Sequence, residues 1–318
     1  VDPLSDVISV MRTGEPRSAR VRWRAPWGQR FTGVPGSAGF QVILQGSCWL
    51  IPREGEPVAL HTGDVLFLPH GTGHGLADDP GSVLAEPACD PRDASRFEER
   101  HAAPPAGVDL GEDPAGTVTL CGAYELRRGR THPLLGTLPE IVHLPARVGR
   151  RPELRAAVDL LGAEIGRERP GSAALVPALL DTLLLYILRA WFDERADAGA
   201  GWPAALADPA TTAALGAIHH EPGRSWTVES LATVAGLSRA AFARRFTALT
   251  GQPPLSYVTW WRMTTAARLL RESDAPLSAV AGKVGYRSEF AFAAAYKREF
   301  GTPPGRHRRL PEGVAAGR

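Results

Sequence analysis

Two stretches in the last third of the chain repeat one another. LATVAGLSRAAFARRFTALTGQPP begins at Leu231 and VAGKVGYRSEFAFAAAYKREFGTPP at Val280. Ala232 and Gly236 recur as Ala281 and Gly285. After one inserted residue, Phe242, Phe246, Gly251 and the Pro253/Pro254 pair recur as Phe292, Tyr296, Gly301 and Pro303/Pro304. A duplicated unit of this length restricts the fold sharply. Two copies are too few to bury a solenoid core, so each must be a small unit that packs against a shared element.

Each copy has the pattern of two short helices meeting at a tight turn. In the first, Thr227 can cap a helix whose Val228, Leu231, Ala232 and Ala235 share one face; Gly236 permits the turn, and Ser238 can cap the next helix. That second helix places Phe242, Phe246 and Leu249 on one stripe. Arg239, Ala240, Ala243, Arg244 and Arg245 lie off it. The second copy repeats the plan with Val280, Ala281, Val284, Gly285 and Tyr286, then Ser288 as cap and Phe292, Tyr296 and Phe300 as the buried row. Between the copies, PPLSYVTWWRMTTAARLLRES reads as one long helix carrying Tyr257, Trp261, Ala266, Leu269 and Leu270 inward.

Charge separates this region from the rest. Residues 224–318 hold 15 Arg and Lys against 6 Asp and Glu, although the whole chain carries only +2. A basic segment of this kind suits a polyanion, because its guanidinium groups can replace counterions along a phosphate backbone. Through LATVAGLSRAAFARRF, WWRMTTAARLL with its Arg262, and VAGKVGYRSEFAFAAAYKREFGTPP, the segment from Ser225 to Arg309 resembles the AraC/XylS family of bacterial transcription regulators. The resemblance implies two recognition helices entering successive major-groove faces of an operator duplex, about 34 Å apart. The expected DNA-binding residues are Ser238, Arg239, Ala240, Ala243, Arg244 and Arg245 in the first module, with Arg287, Ser288, Glu289, Lys297 and Arg298 in the second. Ala293 and Ala294 stand where the family usually carries a polar residue and an arginine, so the first module is expected to dominate specificity.

The N-terminal half reads differently, as short strands between Gly and Pro: RVRWRA, GFQVILQGSCWLI, VALHTGDVLFLP and TVTLCGAYELR. GDVLFLPHGTGHGL places Gly63, Pro69, Gly71 and His74 at the spacing of the second signature of cupin barrels, and so resembles the cupin-type sensor that precedes many such readers. The stretch that would supply the first signature, GFQVILQGSCWLIPREGEPVAL, has no histidine. Its inward polar groups are Gln41 and Cys48, which leaves the ligand set of a metal-dependent cupin enzyme, the competing functional class, incomplete.

Cys48, His74 and Cys121 fall on three different strands, with His132 beyond the last, and are the candidate sensing residues. Converging, two thiolates and an imidazole would suit Zn; near a cation the thiols would be oxidisable; otherwise they simply pack. LCGAYEL followed by HPLLGTLPEIVHL also resembles a subgroup of these regulators with a reactive-species-sensing member. Cys89 sits in a polar loop and is a weaker candidate.

The expected architecture is α+β: a cupin-like sensing β-barrel over 1–150, a helical connector over 151–208 and an all-α double helix-turn-helix DNA-binding domain over 209–318. Leu175 to Phe192 is apolar around most of its circumference, as expected either of a homodimer interface or of a helix sandwiched between barrel and reader. Pro177, Asp181 and Arg189 interrupt it, against a membrane span. Three cysteines and no apolar leader at the N-terminus fit a cytoplasmic protein. Such a regulator would contact an operator and, if an activator, RNA polymerase.

Overall fold

The computed structural model describes residues 2–11, 16–85, 116–126, 132–146, 150–165, 169–195 and 201–309. They form two compact units that do not follow chain order. A β unit takes Gly14–Leu126 and Leu138–Trp191; a helical unit takes Val1–Thr13, Arg127–Thr137 and Phe192–Arg318.

In the β unit the strands are β1 (Arg17–Trp23), β2 (Gly28–Phe31), β3 (Ser37–Gln45), β4 (Ser47–Ile51), β5 (Val58–His61), β6 (Val65–Leu68), β7 (His74–Ala77), β8 (Thr117–Glu125) and β9 (Val142–Leu144). All the ladders between them are antiparallel. They divide into a five-stranded sheet in the order β1-β8-β3-β6-β9 and a four-stranded sheet in the order β2-β7-β4-β5. The cupin-like antiparallel architecture expected from sequence is built as two sheets sharing one core. Val21, Trp23, Ile43, Leu66 and Cys121 come from the first sheet, and Phe31, Cys48, Leu50, Leu60 and Leu76 from the second. Gly46 makes the division. At φ +74° it ends β3 and sends the run GFQVILQGSCWLI into the other sheet as β4, where a Cβ would sit 3.0 Å from the Gly116 carbonyl oxygen.

The cupin-like hairpin is built as its glycines suggest. Gly71 has φ +64°, and a Cβ there would meet the Val34 carbonyl oxygen at 2.1 Å, so no other residue fits. Asp64 closes the β5–β6 turn by accepting from the backbone of His61 (3.1 Å) and Ala146 (2.7 Å) and from His143 Nε2 (3.1 Å).

Twelve helices follow in chain order among the described residues: α1 (Pro3–Met11), α2 (Pro133–Gly136), α3 (Pro152–Glu164), α4 (Ser172–Asp193), α5 (Gly201–Ala207), α6 (Pro209–His220), α7 (Val228–Val234), α8 (Arg239–Thr250), α9 (Pro254–Glu272), α10 (Leu277–Lys283), α11 (Glu289–Phe300) and α12 (Pro304–Arg309). Helices α3 and α4 occupy most of the expected connector and belong to the β unit up to Trp191. Helix α4 is long and apolar enough to cross a membrane by length and composition. Its Leu180, Leu183, Leu184, Ile187 and Leu188 are buried, and Leu180 accepts a hydrogen bond from Tyr124 Oη at 2.6 Å.

In the helical unit both copies of the repeat fold alike. Thr227 and Ser230 form a reciprocal capping box on α7. Gly236 (φ +67°) then reverses the chain, with the Leu237 N–H donating to the Ala232 carbonyl; at Gly285 (φ +84°) the Tyr286 N–H donates to Ala281 in the same way. Phe242, Phe246, Phe292 and Tyr296 form the buried rows. The modules are joined by more than the long helix α9. Arg262 on it donates to the carbonyls of Pro222 and Arg224 (both 2.7 Å), while the second turn presses on the same loop, a Cβ at Gly285 falling 2.7 Å from the Gly223 carbonyl oxygen.

Candidate functional site

The first candidate surface lies on α8. Ser238 caps the helix by accepting from the Ala241 N–H (3.4 Å), and with Phe242 and Phe246 turned inward, Arg239, Ala240 and Arg244 are exposed and Ala243 half-buried. Arg245 is engaged elsewhere. Its Nε donates to Asp208 Oδ2 at 3.1 Å and its Nη2 to Asp208 Oδ1, and the same Asp208, almost fully buried, caps α6 through the Thr211 N–H. Arg245, expected on the DNA, therefore also fixes α8 to the start of α6. Sequence reasoning missed this because the partner lies 37 residues away.

The second surface lies on α11, capped by Ser288 accepting from the Ala291 N–H (3.4 Å). Arg287, Ser288, Glu289, Lys297 and Arg298 are all exposed. So is Phe290, an aromatic ring left 89% accessible one residue into the helix. The sequence signal for it was available, since Phe290 lies off the Phe292–Tyr296–Phe300 stripe.

The candidate sensing residues fall in two units, Cys48, His74 and Cys121 in the β unit and His132 in the helical unit. Cys48 on β4 and Cys121 on β8 both enter the apolar core of the β unit, where burial and the charge of Asp64 push the Cys48 thiol up to about 12, and the Cys121 thiol donates to the Ala19 carbonyl at 3.6 Å. A thiol held so firmly protonated is a poor metal ligand and a poor nucleophile. His74 opens β7 with its ring stacked on Phe31 (4.8 Å between centroids, 9° between planes) and its Nε2 3.3 Å from Gln41 Nε2. Burial lowers its pKa to about 4, only slightly opposed by the Thr72 backbone, so the imidazole is neutral and accepts from the Gln41 amide. Gln41 Oε1 is buried without a hydrogen-bond partner.

His132 departs furthest from expectation, because it sits in the helical unit. Its Nδ1 caps α2 by accepting from the Leu134 N–H (2.9 Å), which leaves Nε2–H to donate to Tyr257 Oη (3.3 Å). Tyr257 in turn donates to His219 Nε2 (2.7 Å), and His219 Nδ1–H donates to Asp6 Oδ2 (3.1 Å). Trp202, Trp260 and Trp261 enclose this chain, Trp261 stacking on His219 with centroids 3.7 Å apart. Burial depresses both histidines below the ordinary value, with Asp6 partly opposing the shift at His219.

His132 therefore stands apart from the expected site, while Cys48, Cys121 and, through Phe31 and Gln41, His74 share the interior of the β unit. Among the described residues no three His, Cys, Asp or Glu side chains are grouped to hold a metal ion such as Zn. Cys89 lies outside the described residues.

Comparison with known proteins gives a consistent picture. A Cupin family pattern matches residues 2–193 and a helix-turn-helix domain pattern matches residues 231–310. A putative AraC-like transcription regulator of Streptomyces lividans is 34% identical over 312 residues, spanning 98% of this chain and 99% of its own. The regulator AlkR of Acinetobacter baylyi is 28% identical over 97% of this chain and 99% of its own. The DNA-binding domain of AdpA, solved with a target DNA, is 37% identical over 33% of this chain and 99% of its own, at a TM-score of 0.31. The chain belongs to the AraC-like transcription regulators in which a cupin domain precedes a helix-turn-helix domain.

Proposed function

We propose that the protein is a sequence-specific DNA-binding transcription regulator whose DNA affinity responds to a signal received by the cupin-like β unit. The observation that carries this reading is the pair of capped helices α8 and α11. Each buries an aromatic row and leaves polar and basic residues exposed, within a strongly basic segment. Arg239 and Arg244 are the candidates for guanine edges, with Ser238, Ala240 and Ala243 shaping the approach. Lys297, Arg298 and Arg287 serve the phosphates, and Ser288 and Glu289 lie beside them. Arg245 acts mainly through Asp208.

Operator binding by the full chain, measured by anisotropy against a salt series, tests this. Affinity should fall steeply with salt, and Arg239→Ala or Arg244→Ala should relax preference at one base position at a cost of about 1–3 kcal/mol. Arg298→Ala should weaken all duplexes about equally. A folded chain with no shift on any genomic fragment at low salt would end the reading.

A homodimer through α4 is the partner arrangement we favour. The contact must lie in its first turns, where Leu175 is 50% exposed, and not at the fully buried Leu183. Leu175→Glu should halve the sedimenting mass without unfolding the protein. An unchanged mass removes α4 from the interface.

A further inference from the structure

Phe290 has no structural task in its own module. The core of the second copy is closed by Phe292 and Tyr296, both fully buried, with Phe300 behind them, and Phe290 is turned away from that row into solvent. Its position in the repeat is informative. Ser238 and Ser288 are the equivalent helix caps, so Phe290 corresponds to Ala240 and stands two residues after the cap, at the end of α11 that the proposed function places toward the bases.

One turn further along, the arginine of the first helix is also replaced. Helix α8 presents Ala243 and Arg244 there, whereas α11 presents Ala293 and the exposed Ala294. Spaced i, i+3, i+4 and i+7 from Phe290, Ala293, Ala294 and Lys297 share its side of the helix. Where the equivalent face of the first helix offers the methyl groups of Ala240 and Ala243, the Arg244 guanidinium and the Thr247 hydroxyl, the second thus offers an aromatic ring, two methyl groups and then one ammonium. A face of this composition cannot bond guanine O6 and N7 as Arg does. It matches the one apolar group in the major groove, the 5-methyl of thymine, which Phe and Ala side chains contact.

We propose that Phe290 is a base-reading residue whose ring packs on a thymine methyl group, so that the second module contributes apolar sequence preference instead of phosphate positioning alone. The proposal rests on the DNA-binding reading above. It revises the expectation drawn from Ala293 and Ala294 that this module contributes little specificity.

The test uses the full chain and a duplex that it enriches from a random DNA pool. Each thymine in that duplex is replaced in turn by deoxyuridine, which deletes only the methyl group, and binding is compared by competition. Wild type should lose about fourfold at one or two clustered positions, the worth of one buried methyl. Phe290→Ala should bind the parent duplex more weakly, lose its response at those positions and keep every other response, while Phe290→Leu should retain part of it. Because the ring is exposed, the variants should melt with the wild type. A Phe290→Ala chain with an unchanged deoxyuridine profile overturns this proposal alone. A chain that enriches no duplex overturns the DNA-binding reading, and this proposal with it.

Discussion

Replacing Tyr257 by Phe isolates the buried chain that runs from His132 to Asp6. The ring keeps its neighbours, since Trp202, Trp260, Phe246 and His219 all lie about its edges and faces at centroid distances of 5.9–6.0 Å. Only the hydroxyl is lost, and with it both of its bonds. His132 Nε2–H then has no acceptor and His219 Nε2 no donor, each inside a site closed to water. A buried polar group left unpaired costs about 1–3 kcal/mol, so two should cost about 3 kcal/mol together once some rearrangement is allowed. For a unit of this size that lowers the melting temperature by about 6–12 °C. Tryptophan fluorescence is the suitable readout in thermal or urea unfolding, because Trp202, Trp260 and Trp261 line the chain. His132→Leu in the same background should then cost less than it does alone, its partner being already absent. If Tyr257→Phe melts with the wild type, or the two substitutions simply add, the hydrogen bonds do not form a coupled chain and the argument fails.

Further outcomes follow from individual groups. Arg245→Ala should cost about 1–2 kcal/mol of stability, allowing for a guanidinium that is half exposed, and should leave base preference intact where Arg244→Ala alters it. Acid should destabilise the protein before its carboxylates titrate. His74 stays neutral in the folded state down to about pH 4 but protonates in the unfolded chain below about 6.5, so stability is full above 6.5 and is lost as pH falls toward 4. His74→Leu should flatten that part of the profile in denaturant midpoints measured across pH; an unchanged slope would mean that the imidazole titrates in the fold as it does in the unfolded chain.

The helical unit was legible because its signals are local. The caps Thr227, Ser238 and Ser288, the turn glycines Gly236 and Gly285, and the aromatic rows repeat at fixed spacing, and all take the expected places. The β unit was legible as strands but not as sheets. GFQVILQGSCWLI reads as one strand, whereas its crossing between two sheets at Gly46 depends on what faces that glycine in space. GQRF and VHL, too short to show a period, were missed as β2 and β9. Long-range polar pairs were invisible for the same reason. The partner of Arg245 within the fold, Asp208, lies 37 residues away in sequence, and the expected boundary at residue 209 cuts that pair and removes the cap of α6. From sequence His132 reads as a sensing residue because it follows β8 closely. Its true neighbours, Tyr257 and Trp260, lie more than a hundred residues on.

The interleaving of the helical unit also sets an order on its synthesis. Asp6 leaves the ribosome early, but its partner His219 follows 213 residues later. At bacterial elongation rates of 5–20 residues per second the wait is roughly 10–40 s, long beside the time in which small domains fold. The β unit, whose last residue is Trp191, is complete in sequence before His219 has been made. During that interval α1, with Leu4, Val7 and Ile8 on its apolar side, has none of its eventual neighbours on α6 and α9. A nascent chain stalled once Trp191 has emerged from the ribosome should therefore hold a folded β unit and a segment around α1 still open to proteolysis, and that protection should arrive only once residues through the end of α9 have emerged.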